Sequence, residues 1–282
     1  MKHSIVNCRP VSRISIVISV AISILAMSLT SACSFMPKAA IIIAGSTSVQ
    51  PFAEVLAEEY MILHPDVEID IQGGGSAAGI MAAQSGTAEI GMSSRALSSE
   101  EKNLWYTEIA RDGLAVIVHA SNPIQDLSLN QIRDIYAASI TDWSQLGGPK
   151  AKIHVITRED GSGTRSAFES LLMGKTQITP RAIVQDSNGA VRQLVADDPY
   201  AIGFISLGLV NETVNALQLG GVAATRENVD NGSYGLTRPF LFVARSEPTG
   251  QASLFIDFVM SAEGQKLLAA EGLIPSAKGV GK

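Results

Sequence analysis

Cysteine is nearly absent from this chain. Only Cys8 and Cys33 occur in 282 residues. Two thiols allow one disulfide at most, and they cannot build a thiolate metal cluster. Histidine is also scarce. His3, His64, His119 and His154 stand far apart, with none of the short spacings that metal ligation uses, so no metal and no cofactor is expected. Positive charge is in deficit, with 21 Lys and Arg against 27 Asp and Glu. That balance argues against nucleic acid as a partner. It also means that overall charge does not draw an anion in, so any anion site must rely on local donors. Repeats and low-complexity stretches are missing too. The length suits two domains of ordinary size, each with its own core.

The N-terminus reads as a processing segment. Lys2, Arg9 and Arg13 precede an apolar run from Ile14 to Leu29, and Thr30-Ser31-Ala32-Cys33 follows. A charged region, an apolar region and a small-residue cleavage site make a secretory signal over residues 1–33. The run is short for a membrane span and serines interrupt it; a retained N-terminal anchor is the alternative. Without those three cations, 18 basic residues face 27 acidic ones, a net charge of −9. Cys8 would leave with the segment, so the mature chain would carry one cysteine and no internal disulfide. The position of Cys33 resembles a bacterial lipoprotein signal, which implies lipidation at Cys33. Thr30 stands where such signals usually carry leucine.

One stretch organises the rest: Arg158-Glu159-Asp160-Gly161-Ser162-Gly163-Thr164-Arg165. An apolar strand pattern, Ile153 to Ile156, precedes it, and helical spacing from Ser166 to Leu172 follows. Two glycines in such a turn permit positive φ and close approach of a ligand. A helix start offers unpaired N–H groups. Ser162 and Thr164 add hydroxyls, and Arg158 adds a fork of donors that matches two oxygens. A capped turn with a local Arg–Asp pair is the plainer alternative.

Three further junctions share this design. Ile41–Ala44 reads as a strand, Gly45-Ser46-Thr47-Ser48 follows, and Val49, Phe52, Val55, Leu56 and Tyr60 mark a helix face. Val67, Ile69 and Ile71 alternate as a strand before Gln72-Gly73-Gly74-Gly75-Ser76 and a second helix. Ile90-Gly91-Met92 leads into Ser93-Ser94-Arg95. In an open parallel sheet, ligands sit outside the C-terminal strand ends, where all four junctions fall. Alternating strands and helices give an α/β class. Further on, the pattern predicts strands at Gly113–His119, Ala201–Ile205 and Phe240–Ala244. It also predicts helices at Leu127–Tyr136, from Asp186-Ser187-Asn188-Gly189 onward, and a single helix from Ser253 to Ala270.

Together, Ala44–Ser48, Gly73–Ser76, Ile90–Arg95, Asn122–Gly148, Arg158–Thr164 and Ala201–Ser206 resemble the substrate-binding proteins of bacterial phosphate importers of the ATP-binding-cassette type. The likeness spans roughly residues 40 to 275. It implies a two-lobed, class II periplasmic-binding fold in which two α/β domains are joined by two hinge strands, near Ala115–His119 and Phe240–Ala244. Lobe one would comprise residues 39–117 and 240–282, and lobe two residues 118–239. The implied ligand is inorganic phosphate and the implied partner a membrane permease, with a monomeric protein outside the cytoplasm. By position, Thr47, Ser48, Ser76 and Ser94 would face the anion from lobe one, and Arg158, Asp160, Ser162, Gly163 and Thr164 from lobe two. Members with the Ser-Ser-Arg variant seen here exist, while the best-studied members carry a carboxylate at the Ser94 position to accept the phosphate proton. Its absence here leaves Arg95 either as a second guanidinium at the site or as the partner of a surface carboxylate. It also leaves Asp160 either as the orienter of Arg158 or as the proton acceptor.

Catalysis has little support in this inventory. Ser162 lacks an evident base other than Asp160, and a nucleophile needs one. The competing readings are a binding protein for another oxyanion (sulfate, molybdate or tungstate), a phosphoryl-transfer enzyme that uses the same cradle, and a sensor or adhesin that reuses the fold.

Overall fold

The computed structural model describes residues 39–276. The expected signal segment and Cys33 lie outside the described residues. Strand β1 (Ala39–Gly45) is followed by α1 (Gln50–Leu63), which carries a proline in its first turn, where the missing N–H costs nothing. Next come β2 (Val67–Gly73), α2 (Ser76–Ser85) and β3 (Ile90–Ser93). Strand β1 pairs parallel with both β2 and β3, as the strand–helix alternation requires.

Glycine lets α2 lie directly on this sheet. A Cβ at Gly79 would fall 2.4 Å from the Ala44 carbonyl oxygen and 2.6 Å from Gly45 Cα, and one at Gly91 would fall 2.4 Å from the Gly79 oxygen. With no side chain between helix and strands, the start of α2 is drawn close to the end of β3. Ser76 and Ser94 therefore become neighbours.

Strand β4 (Trp105–His119) is 15 residues long. Its first part pairs antiparallel with β11 (Thr237–Ala244), from Trp105↔Ala244 to Gly113↔Thr237. Its second part pairs with β8 (Ala201–Ser206) and β9 (Val214–Ala216). Between them the chain forms β5 (Asp126–Leu127), α3 (Leu129–Tyr136), β6 (His154–Arg158), α4 (Gly163–Phe168), β7 (Ile183–Gln185) and α5 (Asn188–Asp197). After β9 come β10 (Gln218–Leu219) and α6 (Arg226–Asp230). Helix α3 is held at its start by reciprocal bonds between Ser128 and Gln131. The main sheet runs β2-β1-β3-β11-β4-β8-β6-β7. The chain ends in α7 (Gly250–Met260), α8 (Ala262–Ala270) and β12 (Ile274–Pro275). No described helix is long and apolar enough to cross a membrane.

Apolar side chains gather into separate cores. One joins β1, α1, Ile109, Ala110, Phe240, Phe242 and α7. Others join Leu114, Val116 and Val118 with Phe168 and Phe204, and Ala115 and Ile117 with Val191 and Ile205. On β4 the allegiance changes between Ala110 and Leu114. Opposite, it changes between Leu236 and Phe240. The chain thus crosses between cores at residues 111–113 and 237–239, a few residues before the segments named from the sequence. Arg111, Asp112 and Arg238 interrupt the apolar runs there, so a hydrophobic pattern starts both strands late.

The helix expected over Ser253–Ala270 is two helices. Ser261 ends α7 and caps α8 by accepting from the Gly264 N–H at 3.2 Å. A Cβ at Gly264 would meet the Phe258 oxygen at 2.4 Å, so the turn is too tight for any larger residue.

The bare contact of α2 with the sheet predicts that Gly79→Ala destabilises the protein by about 1–3 kcal/mol, since backbone on both sides must yield. Urea unfolding measures this. An unchanged midpoint would contradict the packing described.

Candidate functional site

The four glycine–hydroxyl junctions converge between the two halves. Ser46, Ser48, Ser76, Ser94, Arg158, Ser162 and Thr164 are each at most 2 % exposed. Burial of so many hydroxyls demands partners, and they partner one another within one half and across the two. Ser48 Oγ lies 2.6 Å from Thr164 Oγ1. Ser46 donates to Ser94 Oγ at 2.9 Å, and Ser76 Oγ lies 3.3 Å from Ser94 Oγ while accepting from the Ser94 N–H at 3.0 Å. The Ala77 N–H donates to the Gly161 carbonyl at 3.0 Å. Gly163 rests on the serines of the other half, where a Cβ would come within 2.1 Å of Ser76 Oγ. The positive φ of Gly75 (87°) and Gly161 (88°) permits this approach.

Arg158, at the end of β6, is 1 % exposed. Its Nε donates to Glu159 and to the Gln185 carbonyl. Its Nη2 donates to Thr47 Oγ1 (3.1 Å), Glu159 Oε1 (3.0 Å) and the Asp186 carbonyl (2.9 Å). Nη1 is buried and has no protein acceptor. A charged donor left so is costly unless an anion meets it.

Two expected residues stand elsewhere. Asp160 pairs with Arg165 at 2.7 Å and its side chain is 95 % exposed. The expected Arg158–Asp160 pair is therefore replaced by Arg158–Glu159. The turn at Gly161 sends the shorter carboxylate outward, and the longer Glu159 folds back. Arg95 makes a two-pronged contact with Glu101 at 2.7 and 2.8 Å. Ser162 joins the cluster chiefly as the cap of α4, accepting from the Arg165 N–H.

Several side chains bonded into this cluster escaped the sequence reading. Arg238 and Asp112 face each other in register across β11 and β4, with Nε and Nη2 both on Asp112 Oδ2 at 3.0 and 2.9 Å. Arg238 also donates to Thr164 Oγ1 (2.8 Å) and Ser48 Oγ (3.2 Å). Asn188 donates to Ser48 Oγ at 2.8 Å and accepts from the Ser206 N–H. Burial pushes the Asp112 carboxyl up and the Arg238 guanidinium down; their mutual attraction opposes both shifts, and the nearby Arg158 adds to the lowering of Arg238. The available signal was a charged residue beside each apolar strand run, Asp112 before Gly113 and Arg238 before Pro239. Among the described residues no group of three His, Cys, Asp or Glu side chains is placed to hold a metal ion.

The PBP superfamily domain matches residues 36–263. The phosphate-binding protein PstS of Bacillus subtilis (strain 168) is 32 % identical over 239 residues, 83 % of this chain and 79 % of that protein. A substrate-binding protein from Clostridium perfringens, crystallised with bound phosphate, is 46 % identical, with a TM-score of 0.82 over 84 % of this chain and 99 % of that one. An ABC-type phosphate transport receptor from Vibrio cholerae is 40 % identical, with a TM-score of 0.71 over 84 % and 100 %.

The Arg95 contact holds Glu101 down to about 2, chiefly through its hydrogen bonds. A carboxylate lowered in the folded state stabilises above its unfolded value and loses that effect as pH falls through the folded value. Glu101→Gln is therefore expected to lower the thermal midpoint at pH 7 and to lower it far less near pH 2, where the folded carboxylate is about half protonated. An equal loss at both values would contradict the pairing.

Proposed function

The chain belongs to the PBP superfamily as a PstS-like member, and from that premise we propose that it captures inorganic phosphate between two lobes and delivers it to the permease of an ABC importer. One observation carries the reading to this chain: the Arg158 guanidinium is buried, its Nη2 donates to Thr47 Oγ1 at 3.1 Å, and its Nη1 has no protein acceptor. Such a fork is the donor that best matches a tetrahedral oxyanion. We assign Thr47, Ser48, Ser76, Ser94, Ser162, Gly163 and Thr164, which cluster where the two halves meet, to the same anion site. Asp160 and Arg95 stand outside it, so neither is assigned to the anion.

The lobes divide the chain close to the sequence division (residues 39–117 with 240–282, and 118–239), with the boundaries a few residues earlier, at 111–113 and 237–239. The separate cores and the two crossings near Asp112 and Arg238 support that placement. Capture without chemistry fits the residues present, since no histidine lies among the hydroxyls and Ser162 is occupied as a cap; a nucleophile would need a base beside it. The protein would act as a monomer outside the cytoplasm, held to the membrane by lipid if Cys33 is modified.

Another oxyanion remains a second reading for a specific reason. Among the described residues, the carboxylates bonded to the site's cations, Asp112 and Glu159, are taken up by Arg238 and Arg158. A proton acceptor of the usual carboxylate kind is thus missing, and sulfate carries no proton to be accepted.

Calorimetry with phosphate, sulfate, molybdate and tungstate tests both readings. Phosphate is expected to bind most tightly. Arg158→Ala should cost about 2–5 kcal/mol of that binding, as truncating one side of a buried charge pair does, and should also lower the unfolding midpoint, because the buried acceptors of Arg158 lose their donor; binding is therefore compared under conditions where circular dichroism shows the variant folded. Unchanged phosphate affinity in the variant would remove Arg158 from the site.

A further inference from the structure

Two hydroxyls of this site, those of Ser48 and Thr164, are held with one sense of donation, and the source of that sense is a pair of residues outside the glycine–hydroxyl junctions. A hydroxyl has one proton to give and two lone pairs to accept with. Ser48 Oγ accepts from Asn188 Nδ2 at 2.8 Å and from Arg238 Nη2 at 3.2 Å. Both lone pairs are then used, so its proton goes to its remaining neighbour, Thr164 Oγ1, at 2.6 Å. Thr164 Oγ1 also accepts from Arg238 Nη1 at 2.8 Å. With both of its lone pairs used, Thr164 has only a proton left to offer.

Asn188 is prevented from reversing this sense. Its Oδ1 accepts from the Ser206 N–H at 3.2 Å, which turns its Nδ2 toward Ser48. Arg238 is held in turn by Asp112, through Nε and Nη2, and Asp112 accepts from Ser206 Oγ at 2.8 Å. The Phe240 ring lies 5.2 Å from the guanidinium carbon and closes its other side. Arginine is never an acceptor, so nothing in this chain of contacts can run backwards.

We propose that Arg238, seated by Asp112, is a positioning residue that makes Thr164 an obligate hydrogen-bond donor, so that this corner of the site accepts only an unprotonated oxygen of the anion. The inference rests on the oxyanion reading of the site and adds to it a specificity element. It also joins the two halves, since Ser48 belongs to the loop after β1 and Thr164 to the start of α4.

A double-mutant cycle tests it. Arg238→Lys keeps a cation against Asp112 but cannot give two nitrogens to two hydroxyls while holding the carboxylate. It is expected to weaken phosphate binding roughly ten- to hundredfold, the scale of losing charge-assisted hydrogen bonds. In a Thr164→Val background the same substitution should change affinity by no more than about twofold, because the hydroxyl through which Arg238 acts is gone. In a Thr164→Ser background the full effect should return. Equal effects in all three backgrounds would overturn the proposal, because a merely structural arginine does not need the hydroxyl. If thermal unfolding shows that Arg238→Lys does not fold, the double variant Asp112→Asn with Arg238→Gln removes both buried charges together and enters the same cycle. Sulfate and molybdate are titrated alongside. A wild type that binds another anion but not phosphate refutes the phosphate reading, and the cycle is run on that anion. A wild type that binds none overturns the oxyanion reading and this inference with it.

Discussion

A carboxylate and a guanidinium, each with 1 % of its side chain exposed, face each other where two antiparallel strands carry the chain between its cores. That pairing is the constraint around which the rest is arranged. Removing both charges from water is costly, and their attraction recovers the cost only when the remaining donors and acceptors are also met. Here they are met by Ser48, Thr164 and Ser206. An apolar pair of the same volume could fill the space, but it could not orient two hydroxyls. The ion pair thus ties the crossing strands β4 and β11 to the loops that make the site.

Glycine supplies the second constraint. The site works at backbone distance: α2 lies bare on β1 and β3, and Gly163 lies bare on Ser76 and Ser94. One small anion can meet donors from both halves only when the halves are this close. Binding then favours the closed arrangement through its greater affinity for that state. Arg158 fits the same proposal, because its contacts with Glu159, Gln185, Asp186 and Thr47 leave Nη1 without a protein acceptor.

Much of this was legible in the residues. The strand–glycine–hydroxyl junctions announced themselves by repetition, and the structure brings Ser48 to Thr164, Ser76 to Ser94 and Thr47 to Arg158. Asp160 was misplaced because sequence spacing cannot say which of two adjacent carboxylates turns inward; the positive φ at Gly161 decides it. Arg238 and Asp112 were invisible for a different reason. They lie far apart in the chain, and only the register of β4 against β11 sets them opposite each other. Charges inside apolar strands read as interruptions, and these interruptions are where the chain changes cores. The break at Ser261 was hidden as well, since α7 and α8 are both apolar on one face and only backbone contact at Gly264 separates them.

The central claim is that an anion draws two separately cored halves together around one buried cluster of donors. Small-angle scattering of the mature protein, with and without saturating phosphate, measures that most directly. The account predicts a smaller radius of gyration with phosphate, and a profile that then matches the closed arrangement described here. Identical profiles with and without ligand, for a protein shown by calorimetry to be saturated, would contradict it.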